Sequence, residues 1–115
     1  MPLTREFIDT VKARADKSPK YRRMMLANAI EHLIADEPDL GRLLLRDYVK
    51  ATMGFEELAQ LSGLPSPSIK RMLSKSGNPT MNNLAAIIGI CQKQEGISFG
   101  VTSSPTSKKR TLERA

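Results

Sequence analysis

Residues 58–73, LAQLSGLPSPSIKRML, interrupt a helix-compatible run with one glycine and two prolines. Glycine commonly follows the end of a helix, whereas proline is favoured in the first turn of one. The stretch therefore predicts two short helices joined by a tight turn at Gly63. The second helix is predicted to start with Ser66 as its N-cap and Pro67 as its first residue.

The spacing within this stretch fits a helix-turn-helix unit. Ala59 is small where two helices approach closely, Gly63 follows four residues later in the turn, and Ile69 anchors the second helix. A Cβ at position 63 would be strained if the turn needs a positive φ. The remaining buried positions are predicted to be Leu58, Leu64, Met72 and Leu73. The polar residues of the second helix then project away from this apolar side, namely Ser66, Ser68, Lys70 and Arg71.

The next stretch, SKSGNPTMNNLAAIIGICQK at 74–93, predicts that the second helix ends at Gly77 and that a further helix is capped by Thr80. This last helix is apolar on more than one face, so we expect it to pack against the core and against a second copy of the chain. Its free backbone N–H groups, with Lys75, Asn78 and Thr80 nearby, are suited to binding a DNA phosphate.

The rest of the chain suggests three further helices and a tail. Apolar residues recur at helical spacing over about 4–17, 18–34 and 38–53. We expect an N-terminal helical extension at 1–37, a helix-turn-helix domain at 38–101 and a disordered basic tail at 102–115. Alternation in GISFGVTS, residues 96–103, predicts a short strand that could pair with its copy across a dimer axis. The predicted fold class is all-α.

Composition narrows the function classes. The 115 residues include 18 Lys and Arg against 12 Asp and Glu, and this net charge of +6 suits a polyanionic partner. The single cysteine, Cys91, and the single histidine, His32, exclude an internal disulfide and a Cys/His zinc site. No acid-base pair, nucleophile dyad or phosphate loop is visible, so we expect neither an enzyme nor a cofactor. No signal peptide or membrane-spanning run is visible, so we expect a cytoplasmic protein.

Residues 43–87, LLLRDYVKATMGFEELAQLSGLPSPSIKRMLSKSGNPTMNNLAAI, resemble the DNA-binding domain of the Cro/repressor-type (XRE) regulators. The chain resembles in particular the HigA-like addiction module antidote antitoxins, in which Gly-Asn-Pro-Thr follows the recognition helix. With the upstream SPKYRRMMLANAIEHLIADEPDL, the similarity covers about 18–101.

The resemblance implies a lambda-repressor-like bundle and a dimeric repressor that binds a pseudo-palindromic operator upstream of its own gene. It also implies a RelE-like RNase toxin as partner, in a type II toxin-antitoxin module. By position, Ser66, Ser68, Lys70 and Arg71 would face DNA, with Lys75, Asn78 and Thr80 near the backbone.

Two alternatives stay open at this point. The chain could be a stand-alone prophage-type transcriptional regulator without a toxin, or a helical interaction module that does not bind DNA. Pro67 also departs from the family, which usually has a polar side chain at this position, so we expect recognition to rest on fewer base contacts.

Overall fold

The computed structural model describes residues 5–106, which form six helices. These are α1 Arg5–Lys17, α2 Pro19–Ile34, α3 Pro38–Ala51, α4 Gly54–Ser62, α5 Ser66–Met72 and α6 Met81–Glu95. Helices make up 72% of the described residues, and no strand occurs among them. The all-α prediction is therefore confirmed.

The start of α2 follows the local sequence signal. Ser18 is the N-cap, and its hydroxyl accepts a hydrogen bond of 3.1 Å from the backbone N–H of Tyr21. Pro19 opens the helix, where a missing N–H costs nothing. Ser18 thus separates α2 from α1, and both helices pack against α3.

One core joins all helices from α2 to α6. Its largest fully buried side chains come from each of them: Leu26, Leu45, Tyr48, Val49, Leu58, Ile69, Leu73, Ile87 and Cys91. α2 and α3 form the most extensive helix pair. The N-terminal extension therefore shares its core with the helices that follow it.

A buried carboxylate ties the two ends of this bundle together. The side chain of Glu95, at the end of α6, is only 3% exposed. Nε of Arg22 donates to both of its carboxylate oxygens, at 3.1 and 3.2 Å. The same guanidinium donates through Nη1 to the backbone oxygen of Ala15, at 2.6 Å. Arg22 thus links α1 and α2 to α6.

The strand predicted within residues 96–103 is wrong for this chain, because residues 97–106 form neither helix nor strand. Phe99 instead packs against the core, and its backbone N–H donates to Oε1 of Gln92 at 2.8 Å. The Gln92 side chain thus accepts the N–H of Phe99, which in a sheet would bond to a neighbouring strand. Of the predicted disordered tail, residues 107–115 lie outside the described residues.

Candidate nucleic-acid interface

The turn between α4 and α5 has the predicted geometry. Gly63 has a φ of +77°, and its N–H donates to the backbone oxygen of Ala59 at 2.9 Å. This left-handed conformation closes α4, and a side chain at position 63 would be strained in it. The N–H of Leu64 then donates to Oγ of Ser62, at 3.1 Å. The turn therefore fixes the direction in which α5 leaves α4.

The apolar side of α5 holds the helix in one orientation. Ile69 and Leu73 are fully buried beside Leu58 of α4, as the sequence predicts. Leu64 and Met72 pack against the same core. With its inner side held by these contacts, α5 presents its opposite side to solvent.

Ser66 is a predicted site residue whose predicted orientation is wrong. The sequence predicts an outward-facing side chain, yet the residue is only 8% exposed, and its Oγ has no hydrogen-bond partner among residues 5–106. α5 starts one residue earlier than predicted, with Pro65 as the N-cap, so Ser66 is the first residue of the helix. Ser66 then lies three residues before the buried Ile69, which places both on the same face of the helix. The i, i+3 relationship is readable from the sequence and would have predicted this burial.

The other polar residues of α5 divide into different environments. Lys70 and Arg71 are exposed, and Ser68 is half-buried. Nζ of Lys70 lies 5.7 Å from the ring centroid of Phe55, within the range of a cation–π interaction. Among residues 5–106, no hydrogen-bond or ion-pair partner holds the Arg71 guanidinium. Lys70 is therefore positioned over the start of α4, and Arg71 keeps all its donors available.

The end of α5 also differs from the prediction. The helix ends at Met72, well before the expected stop at Gly77. Residues 73–80 form a loop that folds back on the helix, and a Cβ built at Gly77 would lie 2.3 Å from the Met72 oxygen and 2.5 Å from the Arg71 oxygen. Glycine is needed there because the loop passes too close to these carbonyls for any side chain.

This loop carries the three remaining predicted site residues. Lys75, Asn78 and Thr80 are all exposed. Oγ1 of Thr80 accepts the N–H of Asn83 at 3.1 Å and so caps α6. The hydroxyl proton of Thr80 is not used in that bond and could donate to an anion.

Sequence reasoning missed Arg42, which lies at the same loop. This α3 residue is 8% exposed, and its guanidinium donates to the backbone oxygens of Ser74 and Lys75, at 3.2 and 2.8 Å. No sequence pattern signals such a contact, because its acceptors are main-chain atoms more than thirty positions away.

The charges around α5 are unevenly distributed. Glu56 and Glu57, in the first turn of α4, are exposed carboxylates that favour the positive end of their helix and repel phosphate. Lys70, Arg71 and Lys75 are exposed on α5 and the loop after it. A polyanion would therefore be attracted to α5 and its loop and repelled at the first turn of α4.

A second surface, separate from α5 and its loop, lies between α1, α2 and α3. It is a groove of about 500 Å³ lined by Phe7, Val11, Tyr21, Met24, Met25, Ala27, Asn28, Glu31, Leu44 and Asp47. Among residues 5–106, its lining holds two carboxylates and no lysine or arginine, although Arg14 lies 5.3 Å from the ring centroid of Tyr21. Burial raises the pKa of Asp47, with Lys50 partly opposing the shift.

Comparison with known proteins gives no match to a family model, a curated protein or a solved structure. None of the six described helices is long and apolar enough to cross a bilayer. Within residues 5–106, no three histidine, cysteine or carboxylate side chains come together as a metal site would require.

Proposed function

We propose that this protein is a homodimeric repressor that binds a pseudo-palindromic operator in duplex DNA, with α5 as the recognition helix. The observation that carries the proposal is the division of α5 into two sides. Ile69 and Leu73 are fully buried, while Arg71 is exposed and without a partner in the described chain. A short helix with a fixed inner side and unpaired donors on its outer side can enter a major groove and read base edges.

Each predicted contact residue has a role in this proposal. Arg71 reads a base edge, because its planar fork matches the O6 and N7 acceptors of guanine. Lys70 and Lys75 bind phosphates as point charges, and Asn78 and Thr80 add neutral donors at the backbone. Ser68, half-buried, contributes at the edge of the interface, whereas the buried Ser66 contributes to the start of α5.

The dimeric state is supported by apolar side chains on α4 and α6. Leu61 is 50% exposed and shares a depression with Ile90. A second copy packed there would cover this surface. It would also supply the second recognition helix, which a palindromic operator needs about one helical turn, or roughly 34 Å, away.

We further propose that the chain acts in the cytoplasm as an antitoxin, with the groove between α1, α2 and α3 as the surface for a RelE-like toxin. The exposed Met24 and the carboxylates Glu31 and Asp47 suit a partner with an apolar ridge flanked by cations. The two carboxylates of the lining, with no lysine or arginine among its described residues, reduce the like-charge repulsion that the overall +6 would impose on a basic toxin. No catalytic role is proposed for the chain.

Fluorescence anisotropy with duplex DNA from upstream of the gene tests the repressor function. We expect that probe to bind much more tightly than a scrambled duplex at physiological salt, and affinity for both to fall steeply as salt rises. Equal binding of the two duplexes would favour a helical module that does not read DNA sequence.

Co-purification with a RelE-like protein encoded next to the gene tests the antitoxin role. Met24→Arg should abolish the complex, because it places a cation in the groove. The matched control is Ile34→Arg, at a 73% exposed position on the same helix but outside the groove. This variant should still form the complex. If the wild type captures no such partner but still represses, the chain is a stand-alone prophage-type regulator.

A further inference from the structure

The loop after α5 is held from outside by one buried guanidinium. Arg42 projects from the first turns of α3, and its Nε donates to the Ser74 oxygen at 3.2 Å. Its Nη2 donates to the Lys75 oxygen at 2.8 Å and to Oδ1 of Asp39 at 2.7 Å. Three of the five guanidinium N–H donors are thereby accounted for by three different acceptors, and two of these acceptors are consecutive carbonyls of the loop.

The loop is also tied to the end of α5. Oγ of Ser74 donates to the Arg71 oxygen at 2.7 Å, and the N–H of Gly77 donates to the Ser74 oxygen at 3.1 Å. At Gly77 the chain lies so close to the Met72 carbonyl that no Cβ fits. The path of residues 73–77 is therefore determined by contacts on both sides, from α5 and from α3.

Charge explains why an arginine performs this role. The last carbonyls of a helix and of the turn after it carry partial negative charge, which a cation offsets. The planar fork of arginine can meet two neighbouring carbonyls at once, whereas the ammonium of lysine is a point charge without that fixed geometry. Asp39 supplies the opposite charge that a largely buried guanidinium needs.

We propose that Arg42 is a positioning residue for DNA binding: it fixes the main chain of Lys75 so that the Lys75 ammonium reaches a phosphate while Arg71 reads a base. This inference rests on the proposed function. Arg42 does not touch DNA itself in this proposal, because it is only 8% exposed and its Nε and Nη2 donors are directed at the loop and at Asp39. Its contribution to binding should therefore depend entirely on Lys75.

A double-mutant cycle between Arg42→Met and Lys75→Ala tests this dependence. Each single variant should lose about fivefold in affinity for operator and for random DNA at 0.15 M salt, the value of one phosphate contact, and should flatten the salt slope by about one unit. The double variant should lose no more than Lys75→Ala alone. Arg42→Lys should recover part of the loss, since one carbonyl can still be bound.

Arg5→Met is the matched control, because it removes one exposed positive charge on α1 without disturbing the loop. It should leave the salt slope unchanged. All binding is measured well below the melting temperature of each variant. If Arg42→Met does not fold, Arg42→Lys takes its place in the cycle, and additive losses overturn the inference there too.

Hydrogen exchange provides a readout without DNA. In Arg42→Met, the amides of residues 73–77 should exchange faster while those in the middle of α6 keep their protection; unchanged exchange in the loop overturns the inference. Losses that add in the double variant, or a salt slope left unchanged by Arg42→Met, would reduce Arg42 to a stabilising contact only. If the wild type binds no DNA, the proposed function is overturned, and this role of Arg42 with it. If the wild type binds DNA and Arg42→Met binds it equally well, only this inference is overturned.

Discussion

The phenolic oxygen of Tyr48 lies 2.5 Å from Oε2 of Glu95 and donates a hydrogen bond to it. Tyr48 is the largest fully buried side chain of the core, and Glu95 also receives Arg22. The Tyr48 hydroxyl, Glu95 and Arg22 together join α3, α6 and α2. Loss of the phenol leaves a buried carboxylate with one donor fewer, and this cost exceeds the value of an exposed hydrogen bond.

We expect Tyr48→Phe to lower the free energy of unfolding by about 1–3 kcal/mol, because the ring still fills its site and only the hydroxyl is lost. Urea denaturation followed by circular dichroism measures the change. Tyr21→Phe is the control, since that residue is half-buried and its hydroxyl makes no hydrogen bond within the described chain. A cost for Tyr48→Phe no larger than that of the control would contradict the role of this hydroxyl.

The buried thiol of Cys91 should be inert in the folded protein. Burial, together with the nearby Glu95, raises its pKa to about 12. A thiol reagent at pH 8 should label the native protein far more slowly than the urea-unfolded chain, because the thiolate is the reacting form. Rapid labelling of the native protein would show that α6 opens or packs differently.

The same shift makes stability depend on alkaline pH. The pKa of Cys91 is higher in the folded protein than its unfolded value of about 9. The neutral thiol therefore contributes fully to the free energy of unfolding below pH 9, and this contribution is lost as pH rises towards 12. The free energy of unfolding should fall by about 1.4 kcal/mol per pH unit in this window. Cys91→Ala should remove that slope between pH 9 and 10, before the raised pKa of Tyr48 adds its own contribution.

Gly63 and Gly89 should respond oppositely to alanine. Neither would bring a new Cβ within 4 Å of another group, so conformation alone decides the outcome. Gly63→Ala should cost about 1–2 kcal/mol, because its φ of +77° is left-handed. Gly89→Ala, inside α6, should stabilise by about 0.5–1 kcal/mol. Thermal melts of both variants measure this difference, and a neutral Gly63→Ala would mean that the turn tolerates another conformation.

The helices and the turn were predictable because their signals are local. Ser18 and Thr80 are N-cap residues and mark the starts of α2 and α6. The spacing of Ala59, Gly63 and Ile69 predicts a turn followed by a buried residue of the second helix. Those rules concern residues within one or two helical turns, where backbone geometry fixes the neighbours.

The corrections concern contacts that sequence spacing does not encode. Apart from the burial of Ser66, which follows from its i, i+3 spacing to Ile69, they include the early end of α5, where the loop returns against the helix. Arg42 contacts the loop across the fold, and Glu95 accepts hydrogen bonds from two other helices, from Arg22 of α2 and Tyr48 of α3. Such positions depend on how helices pack together, and only the structure reveals them.

Measuring the mass of the protein in solution tests the proposed dimer surface. Light scattering at micromolar concentration should give about twice the 12.7 kDa of one chain for the wild type. Leu61→Glu should yield the monomer, because it places a charge in the apolar contact. Val101→Glu, at a 91% exposed position outside α6, should leave the dimer intact. A wild type of single-chain mass would contradict the proposed dimer.

Competition binding of Arg71→Ala and Lys75→Ala to operator and random duplexes tests the central claim most directly. Arg71→Ala should lose affinity for the operator far more than for random DNA, narrowing their ratio by the equivalent of about 1–3 kcal/mol, because a base contact is lost. Lys75→Ala should weaken both similarly and flatten the salt slope by about one unit. Melting temperatures should stay near that of the wild type, since both side chains are exposed. Equal losses on the two duplexes for Arg71→Ala would contradict α5 as the helix that reads the sequence.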